Sequence, residues 1–112
     1  MKKFILLGIL AVHLVFGMTL YGNEKEALTG RWTYISGEWI WFFGNSWIIE
    51  FKSNGTAISY GEFETGNWSV IDNRQLRVAA SYGEIYYFTF EIIGNILIII
   101  DEDEDVGVWR RR

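Results

Sequence analysis

The sequence predicts an all-β fold, an antiparallel meander closing into a small barrel of about eight strands, behind an N-terminal signal-peptide helix. Three observations carry that expectation. Beyond residue 30 the apolar residues recur with period two, the spacing of a half-buried strand. Turn pairs, Gly44-Asn45, Asn54-Gly55, Asp72-Asn73 and Gly94-Asn95, punctuate β-branched and aromatic runs of strand length. Gly30-Arg31-Trp32 is answered at the far end by Trp109-Arg110-Arg111, as expected of a sheet whose first and last strands meet.

The chain opens with Lys2-Lys3 and an apolar run over 4–16, broken by Gly8 and His13. This is the layout of a secretory leader, and it is short for a bilayer span, which takes about 20 apolar residues. Gly17 and Gly22 supply small residues for cleavage. Residues 1–22 are therefore expected to be a signal peptide, with the mature chain starting near Met18 or Asn23; an uncleaved anchor is the alternative. Residues 23–112 form one domain, secreted or extracytoplasmic in the cell envelope, touching membrane only through the leader. Its size, about 90 residues, is near the limit at which one core holds without staples. There is no cysteine, so disulfides, thiolate metal sites and a lipid-modified cysteine are excluded. Stability has to come from aromatics: all six Trp and all six Tyr lie beyond residue 20.

Residues 23–27 are polar and read as a loose start or a single helical turn. The candidate strands that follow are 30–35, 39–43, 46–51, 56–61, 66–71, 76–80, 85–92, 96–100 and 106–111. Alternation assigns their faces. Trp47, Ile49 and Phe51 share one side against Ile48 and Glu50; Trp68 and Val70 oppose Asn67 and Ser69; Leu76 and Val78 oppose Arg77. In 85–92, Tyr86, Phe88, Phe90 and Ile92 face inward, and Ile85, Tyr87, Thr89 and Glu91 face outward. Strand 96–100 is apolar on both sides, so its outer side needs a cover or a partner.

The Gly30-x-Trp32 motif, with an arginine on the last strand lying over the indole, resembles the small bacterial secreted lipocalin-like domains, relatives of the calycin barrels. Phe51-Lys52-Ser53-Asn54-Gly55, then Gly66-Asn67-Trp68 and Leu76, extend the likeness along the mature chain. The resemblance implies a barrel closed by Gly30, Trp32 and either Arg110 or Arg111. Alternation from Val106 and Val108 favours Arg110; the aromatic-x-Arg ending favours Arg111. A cation over an indole face contributes about 0.5–2 kcal/mol. Gly66-x-Trp68 also repeats Gly30-x-Trp32, but each half alone is too small to be a domain.

Chemistry is sparse. The one histidine, His13, lies in the leader, so the mature domain lacks the usual neutral-pH base, the thiol nucleophile and most zinc ligands. Glu62 and Glu64 share a strand face, with Glu38, Glu50 and Glu91 scattered; they read as solvated faces and edge protection rather than a hydrolytic pair. Asp101, Asp103 and Asp105 have the alternate spacing that opens a calcium loop, but Val106 stands where that loop needs glycine and Arg112 where it needs glutamate. The acidic run reads instead as a repelling, solvated hairpin tip, and no cofactor is expected. The net charge of −4, more negative still without Lys2 and Lys3, argues against nucleic acid as a partner.

Five consecutive large apolar residues, 39–43, cannot all point inward from a strand. They are expected to form a hydrophobic gate at the barrel mouth, where Trp39, Trp41 and Phe43, with Tyr60, Tyr82 and Tyr86 as polar-tipped lining, hold a small apolar or amphipathic ligand. The expected function is thus an exported, non-enzymatic binding module. The alternative is a cell-envelope protein–protein interaction module with a solid barrel and no ligand.

Overall fold

Alternation along each strand fills the centre of the molecule with rings. A computed structural model describes residues 24–72 and 74–112; the predicted leader and the Asn73 half of the Asp72-Asn73 turn lie outside the described residues. A short helix, α1 (Glu24–Leu28), leads into eight strands: β1 (Gly30–Gly37), β2 (Ile48–Phe51), β3 (Thr56–Ser59), β4 (Glu64–Asp72), β5 (Gln75–Ala80), β6 (Ile85–Ile93), β7 (Ile96–Ile100) and β8 (Val106–Arg111). Each pairs antiparallel with the next, and β8 returns to β1, closing the barrel in sequence order. No helix among the described residues is long and apolar enough to cross a membrane.

Trp32, Phe43, Phe51, Phe88 and Trp109 are buried almost completely and meet at the barrel axis with Trp68, Leu76, Val78, Leu97 and Ile99. Phe43 lies 5.5 Å from Phe51 and 5.2 Å from Phe88, ring centre to ring centre, and Phe51 meets Trp68 edge-on at 5.3 Å. An eight-stranded barrel is just wide enough for its own side chains to fill it, and these rings do so. Each buried indole N–H would be costly without an acceptor. All three find backbone carbonyls: Trp32 donates to Leu28 (2.9 Å), Trp68 to Lys52 (2.9 Å) and Trp109 to Ser46 (3.0 Å).

Closure is made by Arg111. Gly107, Trp109 and Arg111 take the inward side of β8, and Val106, Val108 and Arg110 the outer, so the choice left open by the sequence falls to Arg111. Trp32 pairs with Arg111 across β1 and β8, and the guanidinium lies 4.1 Å above the indole. The same group donates to the carbonyls of Thr29 (3.1 Å) and Ala27, pinning α1 over that end of the barrel, with Leu28 buried beneath. Gly30 has φ of 128°, a backbone state costly for any side chain, and a Cβ there would lie 3.3 Å from the guanidinium.

The segment 39–43 is not a ninth strand. Ile40 and Gly44 exchange backbone hydrogen bonds (3.1 and 2.7 Å), folding it into a tight turn. Phe42 stands at φ 63°, rare for a bulky residue, and this left-handed step breaks the alternation. Ile40, Phe42 and Phe43 can then all point inward while Trp39 and Trp41 point out. Trp47 also departs from its expected face. It precedes β2 and is 64 % exposed, whereas Ile49 and Phe51 point inward as expected.

On the outer wall, Ile98 and Ile100 are buried along with the inward Leu97 and Ile99. Glu91, expected outward and solvated, is 1 % exposed beside Ile98, and Arg74 Nη1 reaches its Oε1 at 2.6 Å. Burial lifts its carboxyl from an ordinary 4.5 to about 7, outweighing the pull of Arg74. A raised acid pKa means that the folded state holds the proton more tightly than the unfolded chain. Glu91 therefore favours folding most below pH 4.5, and that contribution is lost as pH rises through 7.

Trp32→Ala is expected to cost about 3–5 kcal/mol in denaturant unfolding, as large aromatic truncations in cores do. Arg111→Ala is expected to cost about 2 kcal/mol and Arg110→Ala less than about 0.5 kcal/mol, since only the first loses a stacked, hydrogen-bonded cation. In a pH series of melting temperatures, wild-type stability should fall between pH 5 and 8, by on the order of 2 kcal/mol from Glu91, and Glu91→Gln should flatten that slope. An unchanged slope in Glu91→Gln would assign the titration elsewhere.

Candidate functional site

Antiparallel order sends alternate turns to opposite ends of the barrel. Four loops, 38–47, 60–63, 81–84 and 101–105, meet at the end away from α1, and together they form the mouth. Their sequences contain no lysine or arginine, but they hold Glu38, Glu62, Glu84 and the acidic run 101–105. Lys25, Lys52, Arg74 and residues 110–112 lie at the opposite end. The barrel is therefore electrically polarised along its axis, with a negative mouth.

Loop 38–47 plugs the mouth. Phe43 enters the lumen, Phe42 wedges between Phe43 (4.9 Å) and Tyr86 (6.5 Å), and the buried hydroxyls of Ser46 and Ser59 share a 2.5 Å hydrogen bond. Ser59 also donates to the Phe43 carbonyl (3.0 Å), so the plug is tied to β3. Space is tight where the plug meets the neighbouring hairpin: a Cβ on Gly44 would lie 2.6 Å from the Glu62 side chain.

Asp101 organises the loop beside it. One carboxylate oxygen accepts from the backbone N–H groups of Asp103 (2.9 Å) and Asp105 (3.0 Å), and the other from that of Trp41 (3.3 Å). Burial, with the Asp105 charge adding to it, pushes the Asp101 pKa up, against those three hydrogen bonds. Ligand atoms of Asp101, Asp103 and Asp105 lie within 4.8 Å of one another. With both Asp101 oxygens committed to backbone donors, the spacing first read as a weak calcium opening serves to stitch the hairpin tip to the plug.

Above the plug, an open cleft of about 470 Å³ is lined by Trp41, Glu84, Ile85, Tyr86, Glu102 and Asp103. The Trp41 and Tyr86 rings run nearly parallel, 15° apart with centres at 6.0 Å, and Trp39 meets Trp41 edge-on at 5.9 Å. Two exposed indoles of the mouth are oriented by carboxylates: Trp41 donates to Asp103 (2.9 Å) and Trp39 to Glu62 (3.3 Å). The Tyr82 and Tyr86 hydroxyls share a 2.8 Å hydrogen bond. Partial desolvation, then Tyr86 and the Glu64 and Glu84 charges, hold the Tyr82 phenol above its ordinary range, so it stays neutral.

The structure thus brings Trp39, Trp41, Tyr82 and Tyr86 together at the mouth. Phe43 is core rather than lining, and Tyr60 is on the outer wall, donating to Glu50 (2.6 Å) beneath the Arg31 guanidinium. Glu62 belongs to the 60–63 turn rather than to a strand face shared with Glu64. Sequence reasoning missed Glu84, Ile85 and Glu102 as lining, and Asp103 was weighed only as a calcium ligand. A signal for Glu102 was present: the Gly94-Asn95 turn sets the pairing Ile93↔Ile96 through Thr89↔Ile100, and the same register continued places Tyr87 opposite Glu102. Their contact is the hydrogen bond from Tyr87 N to Glu102 (3.3 Å).

No family model matches the chain, and a search of the curated proteins finds no match.

Asp101→Ala is expected to cost about 2–3 kcal/mol, because it strands backbone donors that a charged acceptor satisfies. It should also loosen Trp41, seen as faster hydrogen exchange at the Trp41, Asp103 and Asp105 amides. Unchanged exchange at all three would remove Asp101 as the organiser of the mouth.

Proposed function

We propose that the chain is an exported, non-enzymatic binding module of the lipocalin-like kind whose barrel is solid and whose partner is held on the outside of the mouth. The observation that carries this reading is the contrast between the two ends of the Phe42 wedge. Below it, rings fill the lumen; above it, Trp39 and Trp41 are 50 % and 41 % exposed beside an open cleft. Large apolar surface left at the rim of a filled barrel is a feature of interaction sites. A lumen ligand of ordinary size would need about 300 Å³ in the space these rings occupy.

The lipocalin-like assignment is supported by the closed eight-stranded meander, Gly30-x-Trp32 and the arginine over the indole. The non-enzymatic part is supported by the residue inventory. Residues 24–112 contain neither histidine nor cysteine, and four of the five carboxylates weighed as a hydrolytic set have structural partners: Glu62 with Trp39, Glu50 with Arg31 and Tyr60, Glu38 with Val106 N, Glu91 with Arg74. Export is supported by the leader pattern of residues 1–22.

Mass spectrometry of the protein from expressing cells is expected to show a chain starting near Met18 or Asn23. Titration with octyl glucoside below its micellar concentration, followed by amide and indole NMR, should shift Trp39, Trp41 and Tyr86 and leave the Trp32, Trp68 and Trp109 indoles in place. Shifts at the three inner indoles instead would return the site to the lumen and overturn the solid-barrel reading.

A further inference from the structure

The mouth cleft combines features that select one chemical class. Its wall includes the Trp41 indole, 41 % exposed, and the faces of aromatic rings carry negative potential that attracts cations. The Trp41 N–H is bound in the ring plane by the Asp103 carboxylate at 2.9 Å, which pushes electron density toward the ring and makes that face more negative. Glu84, Glu102 and Asp103 line the same cleft, and no cation stands in any of the four mouth loops to neutralise them. An anionic ligand, a nucleic acid or an anionic membrane surface would be repelled.

From this geometry we infer that the cleft docks a basic protein segment, seating an arginine or lysine side chain against the Trp41 indole among the carboxylates of Glu84, Glu102 and Asp103. The inference rests on the mouth being the binding surface and adds the partner's chemistry. The complementarity suits a chain of several cations better than a single one. The cleft is open rather than enclosed, the carboxylates continue past it along the 101–105 run, and Trp39 and Glu62 extend the same aromatic-and-acid pattern across the mouth. A flexible side chain brings an apolar stem for Ile85 and Tyr86 and a charged head for the ring and acids. An arginine head can also stack flat on the indole.

The test uses the protein purified from expressing cells, with acetylated and amidated hexa-arginine, hexalysine and hexaglutamate peptides, tetramethylammonium and octyl glucoside as probes, read by amide NMR and titration calorimetry. The expected result is that both basic peptides shift Trp41, Tyr86, Glu102 and Asp103, that hexaglutamate does not, and that affinity falls steeply with salt. Trp41→Leu should weaken hexa-arginine about fivefold, as loss of a cation–ring contact does, and Trp41→Phe should keep most of the affinity. The double variant Glu84→Gln, Glu102→Gln should weaken it about tenfold and flatten the salt dependence while leaving the melting temperature within the small range of surface changes. Equal affinity in Trp41→Leu and wild type would reduce the effect to bulk charge and overturn the proposal. Tetramethylammonium binding as tightly as the peptides would make the cleft a small-cation site, also overturning it. If octyl glucoside shifts the mouth and the basic peptides do not, the cationic partner is wrong and the mouth reading stands; if neither does, both fall.

Discussion

The contact on which the rest of the molecule depends is the Arg111 guanidinium, 4.1 Å above the Trp32 indole and hydrogen-bonded to carbonyls at the end of α1. A barrel has no free edges only if its last strand finds its first in one register. A one-residue slip would turn Trp109 outward and Arg110 inward. Arg111 discriminates against that slip because three features must coincide: the ring beneath it, the carbonyls around it, and Gly30, whose lack of a side chain lets the group approach. In a domain without disulfides, near the lower size limit for a single core, this closure does work that a covalent staple often does in small secreted folds.

Once β1 and β8 are in register, the lumen has a fixed volume, and the sequence fills it with rings. Trp109 crosses the axis because Gly107, on the same side of β8, leaves room: a Cβ there would lie 2.4 Å from the indole. Phe43 completes the layer from outside the sheet, which explains why the plug accepts a strained Phe42. An αL residue costs roughly 1–3 kcal/mol, while burying a large aromatic removes about 150–250 Å² from water and, at about 25 cal/mol per Å², outweighs it. Strain in the loop is therefore held in place by burial of the same loop.

The strands and their order were legible because turn pairs and alternation are local signals. Residues 96–100 and 106–111 appear with the expected bounds, and β6 differs by one residue. What escaped the sequence was set by tertiary context. A run such as Trp39-Ile40-Trp41-Phe42-Phe43 has high strand propensity, and only its packing against Tyr86, Phe88 and Trp109 makes a left-handed turn preferable. Glu91 reads as an ordinary outward charge, yet it sits beside Ile98 with Arg74, from a different turn, against it. At the mouth, Trp39, Trp41, Tyr82 and Tyr86 were identifiable by type, but Phe43 and Tyr60 were not separable from them. Type says that a ring is large and apolar; only the turn at Phe42 decides which rings go in.

That same turn divides the molecule into a part specified by packing and a part that packing leaves free. Phe43 and Tyr86 belong to the first: changing either disturbs rings that reach Phe88 and Trp109. The exposed parts of Trp39 and Trp41 belong to the second. Their N–H groups are held by Glu62 and Asp103, which fix orientation while about half of each side chain stays in solvent. A large ring positioned through its N–H while so much of it stays exposed is costly to maintain if stability is the only demand, because a polar residue there would expose less apolar surface. The arrangement makes physical sense when the exposed part has something to meet. The sign of the charges on the four mouth loops then narrows what that can be, because a surface rich in carboxylates attracts a cationic partner and repels an anionic one.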